Sequence, residues 1–578
     1  MACSTIEITP YHYADYIVVG IGASGSVVAK LLSDGGHDVI ALESGTQEDF
    51  NPLVLDPTKN SNLLTSNENK FFTNYAGTDR VGGLEAGRVF GGGTTVGGMQ
   101  YVSCTADYWH EVYLESGSDP SWDAPNIRAI AKRLETYNDG SGTIPSIHGS
   151  DGPVDIRVAS LNEPASQLFS AAVNTVTSEG ITTDYNDFDG SPFGSFDRWQ
   201  LMQTPAKTRV TSSIAYISDT MNVEESPIDA EDHKKDVYID RNNRLKVYSN
   251  ATVSKIVWCD TIPDTGTPLA SGVLAFVNGK EITFRGSKGV ILCSGLATPS
   301  ILQRSGVGER ALLEALDIPV KVDNNIVGFY LSNHASYALL AVPDTGSIPG
   351  TTADPEALYA GGAFLPDPLS TEPTRRAMQF THLTSAEGQA SLLLCNYLRL
   401  NSTGTIKIQQ YDPLKPPLVN FNPIKYTNDI DAHVRLLKQG IAIIQEMGLK
   451  TAESLSTDTE IEDYVKLTAA ATYHWTGACR VGANQSLGVV DSDFKVFGTN
   501  NLYICDNMVL PVSCDGNSAA AALYLAYIFT DKILNNPPAL YTCPFVIAPP
   551  PPPPLVLAPE ADTSVFDPIK TVYKDPKA

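Results

Sequence analysis

One stretch near the start of this chain leaves few folds open to it. Asp15-Tyr16-Ile17-Val18-Val19-Gly20-Ile21-Gly22-Ala23-Ser24-Gly25 reads as a buried strand running into a glycine-rich turn. The pattern then predicts a helix over 26–33, with Val27, Val28, Leu31 and Leu32 as its apolar stripe. A second strand over 38–42 ends on Glu43. Strand, tight turn, helix, strand and acid make the first half of a dinucleotide-binding unit. In such a unit Gly20 allows the turn, Gly22 lets the backbone approach a pyrophosphate, and Gly25 lets helix and strand pack closely. The helix N-terminus offers unpaired N–H groups to phosphate. Glu43, 18 residues past Gly25, can take a ribose hydroxyl pair. A glycine turn alone is common; strand, helix and acid in agreement make it a nucleotide site.

The chain has 578 residues, too many for one ordinary core, so two or more domains are expected. Its net charge of −25 argues against an extended nucleic-acid face, which needs clustered Lys and Arg. That charge favours small substrates that are neutral or cationic. Nine cysteines, an odd number without a CxxC pair, read as buried thiols in a reducing compartment. No His/Cys cluster has metal-ligand spacing. The first residues lack a basic region followed by an apolar one, and no run of eighteen apolar residues occurs. Neither a signal peptide nor a membrane span is expected.

Residues 44–80 are polar and read as a long surface excursion. The next stretch, Gly82 to Met99, holds too many glycines for a good helix or strand, yet interleaves Arg88, Phe90, Val96 and Met99. It reads as a backbone surface pressed against a flat, phosphate-bearing ligand. A helix is expected over 124–137, strands over 245–248, 252–258, 270–277 and 290–295, and a helix starting at Thr298-Pro299 with Thr298 as its cap. Residues 335–475 read as a second domain, with strands near 390–400 and 404–409 and an amphipathic helix over 429–446. An apolar helix over 518–534 precedes a tail in which Pro549 to Pro554 favour a polyproline II rod, read as a solvated spacer.

Residues 15–45 followed by Gly87-Arg88-Val89-Phe90-Gly91-Gly92-Gly93-Thr94-Thr95-Val96-Gly97-Gly98-Met99 resemble the glucose–methanol–choline (GMC) flavoprotein oxidoreductases. Gly87, Arg88, Gly91, Gly92, Thr94, Gly98 and Met99 match that family's first signature, while Gly97 stands where it usually carries Asn. Ala297 to Gly308 resembles the second signature. Val327-Gly328 through Asn333-His334 resembles V-G-x-x-L-x-D-H, with Asn333 in place of Asp; His334 reads as a packed structural residue. Tyr473 to Gly482 and Pro511 to Asn517 resemble the family's chemical end. The resemblance covers about residues 15–534. It implies an α/β FAD-binding domain of Rossmann type built from 10–100, 205–334 and 480–536. A substrate domain with an antiparallel sheet would be built from 101–204 and 335–479, and 537–578 would be the proline-rich tail.

The same resemblance implies FAD, held non-covalently because Val96 occupies the place of a His that some members link to the flavin. Its contacts would be Gly20, Gly22, Gly25, Glu43, Arg88, Gly91, Gly92, Thr94, Gly98, Met99, Val253 and Asp506, the last near the pyrophosphate and ribityl chain. His474 and Asn517, 43 residues apart, match the catalytic pair. His474 would accept the hydroxyl proton of a primary or aryl alcohol, for which a histidine is best suited near neutral pH, and Asn517 would orient that hydroxyl. The partners implied are an alcohol and O2 or another electron acceptor. Two stretches, 149–157 and 184–200, resemble GMC-type proteins of giant DNA viruses. They imply an alternative, a structural subunit of a virus particle or genome-packaging fibre that self-assembles, located in virion or host cytoplasm. Otherwise a cytoplasmic enzyme is expected. If a genome is packed, few locally placed basic residues would contact the nucleic acid.

Overall fold

The computed structural model describes residues 7–8, 12–57, 68–74, 81–161, 163–218, 221–224, 237–259, 266–346, 348, 359–370, 372, 374–384, 390–539, 541, 543 and 546–547. Apolar residues fill the second half of strand Tyr13–Val19 and all of Val39–Leu42, where Ile17, Val18, Ile40 and Ala41 are buried. Strands covered on both faces read as unbroken apolar runs and form the centre of parallel sheets. Here Leu245–Tyr248, Val39–Leu42, Tyr13–Val19, Lys280–Leu292 and Leu502–Ile504 lie side by side, and all four pairings are parallel. Antiparallel strands complete a nine-stranded sheet: Ala270–Val277 and Ala251–Trp258 on one side, Val237–Asp240 and Met221–Glu224 on the other. Lys280–Leu292 changes partners along its length, antiparallel to 270–277 at first and parallel to 13–19 later, with a register shift between Gly286 and Gly289.

This order places the site. The carboxyl ends of four parallel strands lead into Gly20, Glu43, Cys293 and Asp506, and all four residues line one cavity. Ligands of open α/β sheets bind in this crevice beyond the strand ends. Helix Ala23–Asp34 covers the sheet and packs against helix Ala519–Asn535, which is buried along most of its length.

A second sheet of seven strands has Leu449–Thr451, Ala335–Pro343, Ser391–Tyr397, Met378–Thr384, Tyr359–Leu365 and Gly194–Phe196 in order, with Ala470–Ala471 also on 335–343. All its pairings are antiparallel. Helix Thr427–Glu446 lies on it through Leu436, Leu437, Ile443 and Ile444, each worth roughly 1.5–3 kcal/mol in burial. Gly440 lets the helix come close, since a Cβ there would stand 3.0 Å from the Cys395 sulfur.

A three-stranded sheet, Glu135–Asn138, Val154–Val158 and Gln200–Met202, carries a buried ion cluster. His148 Nδ1 meets Glu135 at 2.5 Å, its Nε2 meets Asp184 at 2.7 Å, and its ring stacks on Tyr137. Burial lowers the His148 pKa, but the hydrogen bonds to Asp184 and Glu135 outweigh it and raise the pKa to about 9. A histidine raised in the folded state stabilises fully below its unfolded value near ~6.5, and that contribution is lost as pH rises through about 9. Thermal melts should therefore show up to ~3 kcal/mol of stability lost between pH 6.5 and 9.5. His148→Gln should remove that slope; an equal slope in the variant would assign it to other groups.

Several sequence expectations change. Cys259 and Cys543 are joined as a disulfide across 284 residues, so the reading of all nine cysteines as thiols of a reducing compartment is corrected. So wide a separation leaves no local pattern to read. Helix Ala124–Leu134 ends early, and Glu135–Asn138 is a strand. Val81–Gly87 is a strand despite its glycines, paired with Glu68–Asn74. Part of the presumed surface excursion is anchored: Asp49 is fully buried and accepts from Thr211 and Ser213. Helix Thr298–Arg304 has no capping side chain; Thr298 Oγ1 donates to Asp506 instead. The Pro549–Pro554 rod lies outside the described residues. Among the described residues no helix is long and apolar enough to cross a membrane.

Candidate active site

The cavity at the strand ends has a volume of about 970 Å3, at the upper end of the range for cofactor sites. Its first wall is the opening turn. Gly20 sits at φ +94°, a conformation that glycine adopts without strain. A Cβ on Gly25 would stand 1.9 Å from the Gly20 carbonyl oxygen, so helix and turn could not close around any side chain. At Gly22 a Cβ would meet nothing within 4 Å. Gly22 also precedes helix Ala23–Asp34 as a cap without a side-chain acceptor, which leaves its first N–H groups to a ligand.

Glu43 is buried at the cavity edge. Its Oε2 accepts from the Ile21 N–H at 2.9 Å and its Oε1 from the Gly45 N–H at 2.8 Å. Burial pushes its pKa up, against the pull of these donors. Arg88 ties in the glycine-rich stretch by donating from Nε to the Ser44 carbonyl. The Gly91 N–H donates to Ile21, and a Cβ on Gly92 would lie 2.9 Å from Gly22 Cα, so the two glycine turns touch. Thr94 lines the cavity, but its hydroxyl is engaged by the Gly91 carbonyl and the Ser212 N–H. Gly98 and Met99 line the wall further along, and the Gly98 carbonyl accepts from Tyr359. Val253 lines the opposite side from a sheet strand, paired with Ala275. At Gly97 a Cβ would stand 2.7 Å from the Gly93 carbonyl oxygen, which leaves no room for the usual Asn. Buried Arg209 holds this turn, donating to the Gly97 and Thr94 carbonyls.

Asp506 stands beyond strand Leu502–Ile504. Its Oδ2 accepts from the Gly295 N–H at 2.9 Å and Thr298 Oγ1 at 2.6 Å, and its Oδ1 accepts from the Met508 N–H. Burial raises its pKa to about 6. At the far end of the cavity, Asn517 Nδ2 lies 3.2 Å from His474 Nε2. The same Nδ2 donates to Gln100 Oε1 at 2.8 Å, while Asn517 Oδ1 accepts from Gln379 Nε2 at 2.9 Å. Asn333 holds the His474 loop: its Oδ1 accepts from the His474 and His334 N–H groups and from Thr472 Oγ1, and its Nδ2 donates to the Thr472 carbonyl. Burial, with neighbouring His334, lowers the His474 pKa to about 3, so its imidazole is neutral near neutral pH.

All the residues expected from sequence except Gly25 and Gly91 line this one cavity; Gly25 and Gly91 shape it from behind. The sequence does not point to Gln100 or Gln379, and it marks His334 as packed and Thr298 as a cap without their contacts to His474 and Asp506. Each acts through a contact between distant segments that no local pattern announces. The fit to a dinucleotide rests on the open backbone at Gly22 and Gly93, the uncapped helix start and Glu43. Three lining residues also keep buried polar atoms without a protein partner, Ser300 Oγ, Trp475 Nε1 and Asn507 Oδ1. No group of His, Cys, Asp and Glu able to hold a metal occurs among the described residues.

A parallel sheet with a glycine cradle at its strand ends, with Asn517 from the segment just before helix Ala519–Asn535 and His474 from the loop after Ala470–Ala471 of the antiparallel sheet, defines a dinucleotide-dependent oxidoreductase. The GMC oxidoreductase family matches residues 14–336 and 401–526, and the chain belongs to that family, with FAD as its cofactor. The chain is 24% identical to an oxygen-dependent choline dehydrogenase of Staphylococcus epidermidis, over 91% of this chain and 94% of the relative. In fold it is similar to pyridoxine 4-oxidase from Mesorbium loti (TM-score 0.76, 18% identity, 90% of this chain and 99% of the other). A fungal aryl-alcohol oxidase is also similar (TM-score 0.72, 18% identity, 90% and 99%).

Proposed function

We propose that this chain oxidises a neutral primary or aryl alcohol to its aldehyde, with His474 as the proton acceptor and Asn517 as the residue that orients the hydroxyl. The observation that carries this reading is the His474 Nε2 and Asn517 Nδ2 pair, 3.2 Å apart, in the same cavity as the glycine cradle. FAD, when bound, supplies the acceptor for the hydride of the carbinol carbon. The side chains do the rest. The neutral imidazole offers a lone pair to the hydroxyl proton. An alcohol entering between the two side chains would replace their mutual hydrogen bond, which frees the Asn517 N–H for the oxygen on which negative charge develops. Gly20, Gly22, Gly25 and the helix start would hold the pyrophosphate, Glu43 the adenosine ribose, and Asp506 the region towards the ribityl chain. Arg88, Gly91, Gly92, Thr94, Gly98, Met99 and Val253 would shape the remainder, with no nucleophile at Val96, so the cofactor stays non-covalent.

Among the described residues lining the cavity the only carboxylates are Glu43 and Asp506, and both already accept hydrogen bonds from their surroundings. Met99, Gln100, Met202, Tyr473 and Trp475 line the same cavity as His474, bring no counter-charge for a cation, and offer apolar surface to a flat body. Anaerobic mixing with aryl, aliphatic and sugar alcohols and with choline tests this. Bleaching of the flavin by aryl or aliphatic primary alcohols, with choline much slower, is the expected result. Choline reducing it as fast would overturn the neutral substrate. Purified protein that neither carries flavin nor takes it up would overturn the enzyme. Self-assembly into fibres without turnover would favour the structural reading.

A further inference from the structure

We propose that His334 is a positioning residue that, anchored on the Cys514 carbonyl, sets the tautomer of His474 and so decides which nitrogen receives the alcohol proton. This inference rests on His474 being the proton acceptor.

The argument begins at an oxygen that can only accept. His334 Nε2 lies 2.7 Å from the Cys514 carbonyl oxygen, so that nitrogen carries the proton. His334 is fully buried, and burial lowers its pKa to about 4, so the ring is neutral and has one N–H. Its Nδ1 is therefore a lone pair. That lone pair faces His474 Nδ1 at 3.0 Å, with the two rings edge to face. Two lone pairs would repel at this distance, so the proton between them belongs to His474 Nδ1. Neutral His474 then has its lone pair on Nε2, the nitrogen that faces Asn517.

The opposite end of the chain agrees. Asn517 Oδ1 accepts from Gln379 Nε2, which turns Nδ2 towards Gln100 Oε1 and His474 Nε2. Donation thus runs one way, from Gln379 through Asn517 to His474 Nε2, while His474 Nδ1 donates to His334 and His334 to Cys514. The reverse direction would require a doubly protonated, fully buried His334 or a ring lone pair aimed at a carbonyl oxygen. Both are costly away from water. Asn333 accepts from the backbone N–H of each histidine and so keeps the two rings in register.

The step this serves is balanced. The alcohol hydroxyl takes the place of the Asn517 N–H at His474 Nε2: its proton passes to Nε2 as the hydride leaves carbon for the cofactor, the released Asn517 N–H donates to the alcohol oxygen, and the imidazolium so formed still donates from Nδ1 to the neutral His334. Without that acceptor, the Nε2–H tautomer of His474 becomes accessible, and its lone pair points away from the substrate.

Nitrogen-15 NMR of holoprotein labelled at histidine tests the idea, with His474 assigned by its absence in His474→Ala. The expected wild-type spectrum has His474 protonated at Nδ1 and bare at Nε2. His334→Ala should mix or invert the two forms and slow flavin reduction about 100-fold, with little change in substrate affinity. His334→Asn, which keeps an acceptor near the Nδ1 position, should restore part of the rate and the original tautomer. A wild-type His474 protonated at Nε2 overturns the proposal, whether or not His334→Ala folds. So does His334→Ala with tautomer and rate unchanged. A wild type that shows the expected tautomer yet reduces no alcohol would sink the proposed activity and leave the histidine pair standing.

Discussion

His474→Ala should bind FAD at the wild-type ratio and slow its reduction by alcohol roughly 10²–10⁴-fold, the range for loss of a positioned general base. The cradle that would hold the cofactor is built from residues 20–43 and 88–99, and none of its hydrogen bonds involves the His474 ring. Affinity and rate should therefore separate in the variant. Stopped-flow absorbance under anaerobic conditions measures both. An unchanged rate would remove His474 from the mechanism; lost flavin would make it a structural residue. The wild type carries a further signature. A base whose pKa is lowered to about 3 is active above that value and loses its lone pair only as pH falls towards it. The reduction rate should therefore show no acid limb near ~6.5, the ordinary histidine value.

Gly22→Ala and Gly25→Ala should fail in different ways, although the two residues are three apart. A methyl on Gly25 would stand 1.9 Å from the Gly20 carbonyl oxygen and 3.1 Å from Cys293 Cβ. Backbone must move, and forcing matter into a packed site costs typically about 1–3 kcal/mol or more. Gly25→Ala should lower the melting temperature of the flavin-free protein and abolish flavin retention. A methyl on Gly22 meets nothing within 4 Å. Gly22→Ala should melt like the wild type when flavin-free, yet retain flavin at least ~10-fold more weakly, because the methyl occupies the space a pyrophosphate needs. Equal flavin affinity in Gly22→Ala would place the phosphates elsewhere.

The cradle was legible because its parts are close in the chain. Strand 13–19, the turn at 20–25, helix 23–34 and Glu43 form a unit whose geometry follows from glycine conformation and apolar periodicity. Helix boundaries moved by a few residues without moving the site. Readings that depended on distant partners fared worse. Thr298 reads as a helix cap until Asp506, 208 residues on, is brought to its hydroxyl. Gly82 to Gly87 reads as too glycine-rich for a good strand until Glu68–Asn74 pairs with Val81–Gly87. Cys259 reads as a thiol until Cys543 reaches it.

The sequence by itself determined that this chain builds a dinucleotide cradle, and it named His474 and Asn517 as a pair worth testing. Only the tertiary structure decided what surrounds that pair. His334 comes from 140 residues before His474, Gln379 from 138 before Asn517, and Gln100 from 417 before it. They meet because the antiparallel sheet closes against the carboxyl edge of the parallel one. The physical reason is one of range. Backbone torsions and side-chain periodicity act within a few turns, so a contiguous motif encodes its own shape. A donor–acceptor chain through four side chains depends on how whole layers pack, and no local stretch carries that information.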